Sequence, residues 1–86
     1  MIRVRGFAAD YDEWATAAGD NWSWAALAPY FLRAENIEDA KDPSLGRGGP
    51  QSVERQRDPR PHTAAFLDAA RELGHPVTEA NLPTGQ

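Results

Sequence analysis

All three tryptophans of this 86-residue chain, Trp14, Trp22 and Trp24, fall within DYDEWATAAGDNWSW, residues 10–24. A chain of this size can form at most one small domain, and such domains bury a modest share of their surface. With no cysteine, neither a disulfide nor a zinc–thiolate site can staple it. The crowded indoles are therefore either a large part of its interior or one half of a contact completed elsewhere. Both readings stand on the residues alone: an internal mini-core, or a contact with a body outside this segment.

Three short helices are legible. The first is expected from Asp10 as N-cap, with Glu13 three residues on. Tyr11, Trp14, Ala15 and Ala18 share its apolar face, and Gly19 follows its end. The second follows Ser23, with Trp24, Leu27, Ala28, Phe31 and Leu32 on one stripe. Pro29 lacks an N–H, so a separate first turn is expected, with regular helix from Pro29 to Glu35 and Asn36 at its end. The third is expected over Thr63–Leu73, burying Phe66, Ala69, Ala70 and Leu73, with Gly74 as its cap and Pro76 beyond.

Between the second and third helices, EDAKDPSLGRGGP is polar and turn-rich, and reads as an exposed loop. QSVERQ allows one short edge strand, and RDPRP is extended, because residues before proline avoid the helical region. The tail VTEANLPTGQ has no period, so the chain reads as a piece of something longer. The expected class is mainly α: three short helices, a long irregular connection and at most one short edge strand. Along the chain this gives 1–19 as an N-terminal strip and first helix, 20–37 as the second helix, 38–61 as the loop, and 62–86 as the third helix and tail.

Nine basic against thirteen acidic residues leave a net charge of −4, which disfavours nucleic acid as a partner, since phosphate neutralisation supplies most of that affinity. Arg3 with Arg5, and Arg55 with Arg57 and Arg60, read as solvated clusters. No apolar run approaches the ~20 residues of a membrane span. The start lacks the apolar stretch of a secretory signal, so a cytoplasmic location is expected.

No catalytic set emerges from the residues. GRGGPQS lacks the lysine and the following helix of a phosphate-binding loop, and reads as a plain turn. His62 and His75 flank the third helix without metal-ligand spacing, so no metal site is expected. Asp10, Asp12 and Glu13 sit at a helix start, and Glu38 and Asp39 in a polar loop. Neither group has the burial that would separate their pKa values for acid–base work. Ser23 and Ser52 have no neighbouring base.

The order of motifs is more informative. MIRVRG, DYDEWA, NWSWAALAPYF leading into RAEN, GRGGP, HTAAFLDAARELGHP and EAN follow one another. This succession resembles an internal stretch of the glucose–methanol–choline (GMC) oxidoreductases, whose pattern runs NGMVYxRG, DYDxWA, GWSYxDVLPYF, SEN, HGxxGP, AFxxAAxELGxP and DxN. On the register of the family's flavin signature, Arg3 takes an aromatic place, Gly6 a small one and Asp12 a polar one. Leu45 stands where histidine is common, and Ala80 departs from the acidic position before Asn81.

What the resemblance implies is an incomplete part of a larger α+β flavoenzyme. That enzyme would bind FAD and pass a hydride from a small alcohol substrate to the flavin. Its partner would be the remainder of the flavoenzyme, which carries the GxGxxG turn and the catalytic histidine. Met1 and Ile2 match positions whose backbone lines the FAD and are the expected cofactor contacts; no catalytic residue is expected within the segment, which would be inactive alone. The alternative is a stand-alone helical interaction module derived from such an enzyme.

Overall fold

A computed structural model describes residues 2–78 and 80–82. Helix α1 (Ala8–Ala18) leads through a 3-10 turn (Asp20–Trp22) to helix α2 (Trp24–Ala34). Strands β1 (Glu35–Ile37) and β2 (Gln51–Val53) follow, then helix α3 (Pro61–Glu72). The mainly helical class is the expected one. The short strand expected within QSVERQ is β2, and its partner β1 occupies residues read in the sequence as the end of the second helix.

Helix α1 starts two residues before the expected cap. Phe7 is extended, and Asp10 reaches back from inside the first turn to accept the Phe7 N–H at 2.8 Å. One carboxylate thus satisfies an orphan donor and sits at the positive end of the helix dipole. Gly19, at φ +103°, ends the helix with its N–H on Ala15 O at 2.8 Å.

Helix α2 runs unbroken through Pro29, contrary to the separate first turn expected from the sequence. Its start is held twice: Ser23 Oγ accepts the Ala26 N–H at 3.3 Å, and Asp12 Oδ1 accepts the Trp24 N–H at 3.0 Å. Trp24 and Phe31, two turns apart on either side of Pro29, stack with centroids 5.9 Å apart. Proline removes one backbone hydrogen bond, and these contacts bridge the gap.

Tyr11 is the centre of the aromatic packing. Its ring lies 5.1 Å from Trp14, 5.6 Å from Trp24 and 5.6 Å from Phe31. Trp24 is half-buried in this cluster, whereas Trp14 and Trp22, edge to face at 6.4 Å, remain 51% and 48% exposed. The indoles therefore divide: one belongs to an internal cluster, and two stand at its rim. Among the described residues, the hydrophobic side chains sealed from solvent are those of Tyr11, Ala40 and Leu45.

The two strands pair in parallel, with Glu35 opposite Gln51 and Ile37 opposite Val53. The segment 38–50 makes the return without a helix and wraps the α2–β1 junction. Gly49 donates to Glu35 O at 2.9 Å, and Ile37 donates to Gly46 O at 2.9 Å. Helix α3 starts at Pro61 and closes at Gly74, whose φ is +85°. Its apolar stripe was expected to be buried, but Phe66 is 73% and Leu73 79% exposed. Helical periodicity shows which face is apolar; it does not supply a surface to cover it, and none lies among the described residues.

Candidate functional site

Residues 2–6 form an extended strip ahead of α1. Side chains alternate along extended backbone, so Arg3 and Arg5 turn inward while Ile2 and Val4 face solvent, Ile2 at 88% exposure. The inward face meets Glu35, the first residue of β1, which is 0% exposed. Arg5 Nε donates to Glu35 Oε1 at 3.0 Å and Arg5 Nη2 to Oε2, while Arg3 Nη2 donates to Oε1 at 2.9 Å. Both guanidiniums also lie over the Phe31 ring, at 5.5 Å for Arg3 and 5.3 Å for Arg5.

Burial alone would raise the Glu35 pKa. The Arg5 hydrogen bonds and charge, the Arg3 charge and the Gly46 N–H together outweigh it and hold the group below its ordinary value of 4.5. Glu35 is therefore ionised at neutral pH, with two cations against one carboxylate. Arg3 Nε is buried without an acceptor, so the cluster retains one unfilled donor.

The tail closes the site from the other side. Asn81 Oδ1 accepts the Arg5 N–H at 2.6 Å, and Asn81 Nδ2 donates to Arg3 O at 3.1 Å. Asn81 itself is buried and left-handed, at φ +67°. Arg5 Nη1 donates to Ser44 O at 3.0 Å and to Asn81 O at 3.4 Å. Asp42 orders that loop: hydrogen bonds from the Ser44 hydroxyl and N–H hold its carboxyl below the ordinary value, against a small opposing effect of burial.

Beside this cluster lies an open hollow of about 710 Å³, with Ile2, Arg3, Ile37, Val53 and Asn81 in its wall. Ile2, one of the two expected cofactor contacts, is thus at its rim; Met1, the other, lies outside the described residues. The remaining sequence-based candidates are scattered. Asp10 and Asp12 cap helices, and Glu38 accepts the Arg55 N–H at 3.3 Å and faces Arg57 at 3.6 Å. His62 and His75 stand at opposite ends of α3. Among the described residues, no group of three His, Cys, Asp or Glu side chains is placed to hold a metal ion. No helix among them is long and apolar enough to cross a membrane.

One sequence reading is corrected. Arg3 and Arg5 are not a solvated cluster, because the alternation of Ile2–Arg3–Val4–Arg5 puts both cations on the buried side. The tail, which has no sequence period, is anchored to the strip through Asn81. GRGGP is the turn expected, but a tightly packed one. A Cβ on Gly46 would lie 2.6 Å from Leu32 O, and one on Gly49 would lie 2.5 Å from the Ala34 carbonyl.

The whole chain, residues 1–86, matches the family model described as GMC oxidoreductase. It is 48% identical over 87 residues to an uncharacterized GMC-type oxidoreductase of Mycobacterium tuberculosis, covering 96% of this chain and 16% of that protein. It is 41% identical over 80 residues to an oxygen-dependent choline dehydrogenase of Vibrio vulnificus, covering 91% of this chain and 14% of that protein. The fold is similar to the crystal structure of pyridoxine 4-oxidase from Mesorbium loti, with a TM-score of 0.75 and 33% identity, over 86% of this chain and 15% of that one. The chain thus spans between 14% and 16% of the length of these relatives. With the motif order and the fold in agreement, the chain belongs to the GMC oxidoreductase family.

Proposed function

We propose that the chain serves as one segment of an FAD-dependent alcohol oxidoreductase, in which a hydride passes from the CH–OH carbon of a small alcohol to the flavin. By itself it is inactive, and the remainder of the flavoenzyme is its partner. The observation that carries this reading is the extended strip, held rigidly on its inner side and open on its outer side at Ile2 and Val4.

The described residues fit one edge of a flavin and not the whole cofactor. An extended backbone with an apolar side chain facing outward suits contact with a flat ring. Helix N-termini can hold a pyrophosphate when a glycine turn opens them. The starts of α1, α2 and α3 are instead formed by Phe7, Ser23 and Arg60. When bound, the flavin supplies the hydride-accepting ring; the protein's share is orientation and electrostatics. Here Ile2 would lie along the cofactor, and Arg3, Arg5 and Glu35 fix where that strip runs.

The test is a segment exchange. The Vibrio vulnificus choline dehydrogenase is produced with its matching segment replaced by this chain, and flavin content and choline oxidation are measured. Retained flavin and turnover support the reading; a folded exchange protein without flavin contradicts it. The 86-residue chain alone is expected to show no flavin absorbance near about 450 nm.

The exposed α3 stripe also suits a stand-alone helical module. A cooperative melt of the chain by itself would favour that second reading, and weak or absent cooperativity the first.

A further inference from the structure

We infer that Asn81 and Glu35 are positioning residues for the flavin-facing strip, an inference that rests on the function proposed above. The carboxamide of Asn81 engages two main-chain groups of the strip at once, accepting from Arg5 N at 2.6 Å and donating to Arg3 O at 3.1 Å. It stands in for a neighbouring β-strand. Because it holds backbone rather than side chain, it sets the path of residues 3–5 directly. Glu35 acts one layer out, gripping both guanidiniums and so fixing which side of the strip faces inward.

Neither clamp is local. Glu35 lies 30 residues and Asn81 76 residues along the chain from Arg5. Asn81 also holds a left-handed φ of +67°, a conformation that asparagine tolerates better than most residues. The direction of Ile2 and Val4 thus depends on two segments distant from them along the chain. Misplacement of a cofactor-contacting strip by a fraction of an ångström weakens catalysis without removing any group that touches substrate.

The experiment uses the segment-exchanged choline dehydrogenase with Asn81→Ala, which loses both bonds, and Asn81→Asp, which keeps the acceptor for Arg5 N–H and loses the donor. Visible flavin spectrum, flavin reduction potential, kcat, KM for choline and melting temperature are recorded together. The inference expects Asn81→Ala to shift the spectrum and potential and to lower kcat by roughly tenfold, with KM little changed. Asn81→Asp should recover part of each.

A lowered melting temperature with parental spectrum, potential and kcat in both variants would overturn the positioning role. If the parent exchange protein folds without flavin, the proposed function fails and the clamp is read separately in that folded protein by hydrogen exchange. There, an Arg5 amide that is protected and then released by Asn81→Ala supports the clamp, and an unprotected Arg5 amide overturns it.

Discussion

Arg5 spans both carboxylate oxygens of Glu35, a residue with no solvent exposure, and Arg3 shares one of them. Buried ion pairs contribute little net stability against an apolar pair of equal shape, but breaking one strands a charge at a cost of about 3–5 kcal/mol. That is a large share of the about 5–15 kcal/mol that holds an ordinary domain folded. We therefore expect Glu35→Ala to abolish amide protection at Ile37, Glu38 and Gly49, the groups that tie β1 to its surroundings. Hydrogen exchange by NMR reads this, and protection at wild-type levels would show that the pair is dispensable.

The same carboxylate sets an acid limit. Its folded-state pKa is lowered from 4.5, so its stabilising contribution is complete above that value and is lost as pH falls through the lowered one. Helical circular dichroism of the chain should hold steady down to about pH 4.5 and then fall with proton uptake by Glu35. Glu35→Gln removes the titrating group. Its helical signal should lack that acid step, and an unchanged acid profile would assign the loss to other carboxylates.

Three nearby glycines should respond differently to alanine. At Gly49 the new methyl would meet the Ala34 carbonyl carbon and Arg33 O at 2.5 Å, backbone atoms that cannot swing aside. At Gly46 it would meet Leu32 O at 2.6 Å. Overpacking of this kind costs about 1–3 kcal/mol or more. Gly48 has open space around it but a φ of +75°, so Gly48→Ala should cost only about 1–2 kcal/mol, from backbone strain. Melting temperatures of the segment-exchanged enzyme should place Gly48→Ala above Gly49→Ala; the reverse order would mean that the loop does not pack against α2.

Phe66 tests the uncovered helix. A buried phenylalanine truncated to alanine costs about 3–5 kcal/mol, whereas exposed positions usually change stability by less than about 0.5 kcal/mol. At 73% exposure, Phe66→Ala should leave the isolated chain unaffected. The same change in the segment-exchanged enzyme should lower its melting temperature. An equal loss in both would place Phe66 inside a core of the chain's own.

How far the fold was legible depended on whether the signal was local. Ser23 as N-cap, Gly19 and Gly74 as helix ends and the turn nature of GRGGP are local chemistry, and each stands where the sequence put it. The passage of α2 through Pro29 was not legible, because Tyr11 of α1 packs against both Trp24 and Phe31, a tertiary contact that overrides a local penalty. Strand β1 was hidden for a similar reason. Glu35-Asn36-Ile37 has no strand-like alternation of apolar residues, and its pairing depends on a loop that wraps it.

The candidate site was hidden more deeply. Arginines at alternate positions between Ile2 and Val4 place both cations on one face, and that pattern was the available clue. A buried face with two cations requires a buried acid, but nothing in RAEN distinguishes Glu35 from the other acids of the chain. Asn81 stood in the EAN motif with no sign of its role until its left-handed backbone and its two bonds to the strip were visible.

The most direct test is acrylamide quenching of tryptophan fluorescence, measured on the isolated 86-residue chain and on the segment-exchanged enzyme after correction for the host's own tryptophans. With Trp14 and Trp22 about half exposed, the isolated chain should be readily quenched with red-shifted emission, and the exchanged enzyme should protect the same indoles. Blue-shifted, quencher-resistant emission from the isolated chain would contradict the account, because it would mean that these side chains already lie in a finished interior.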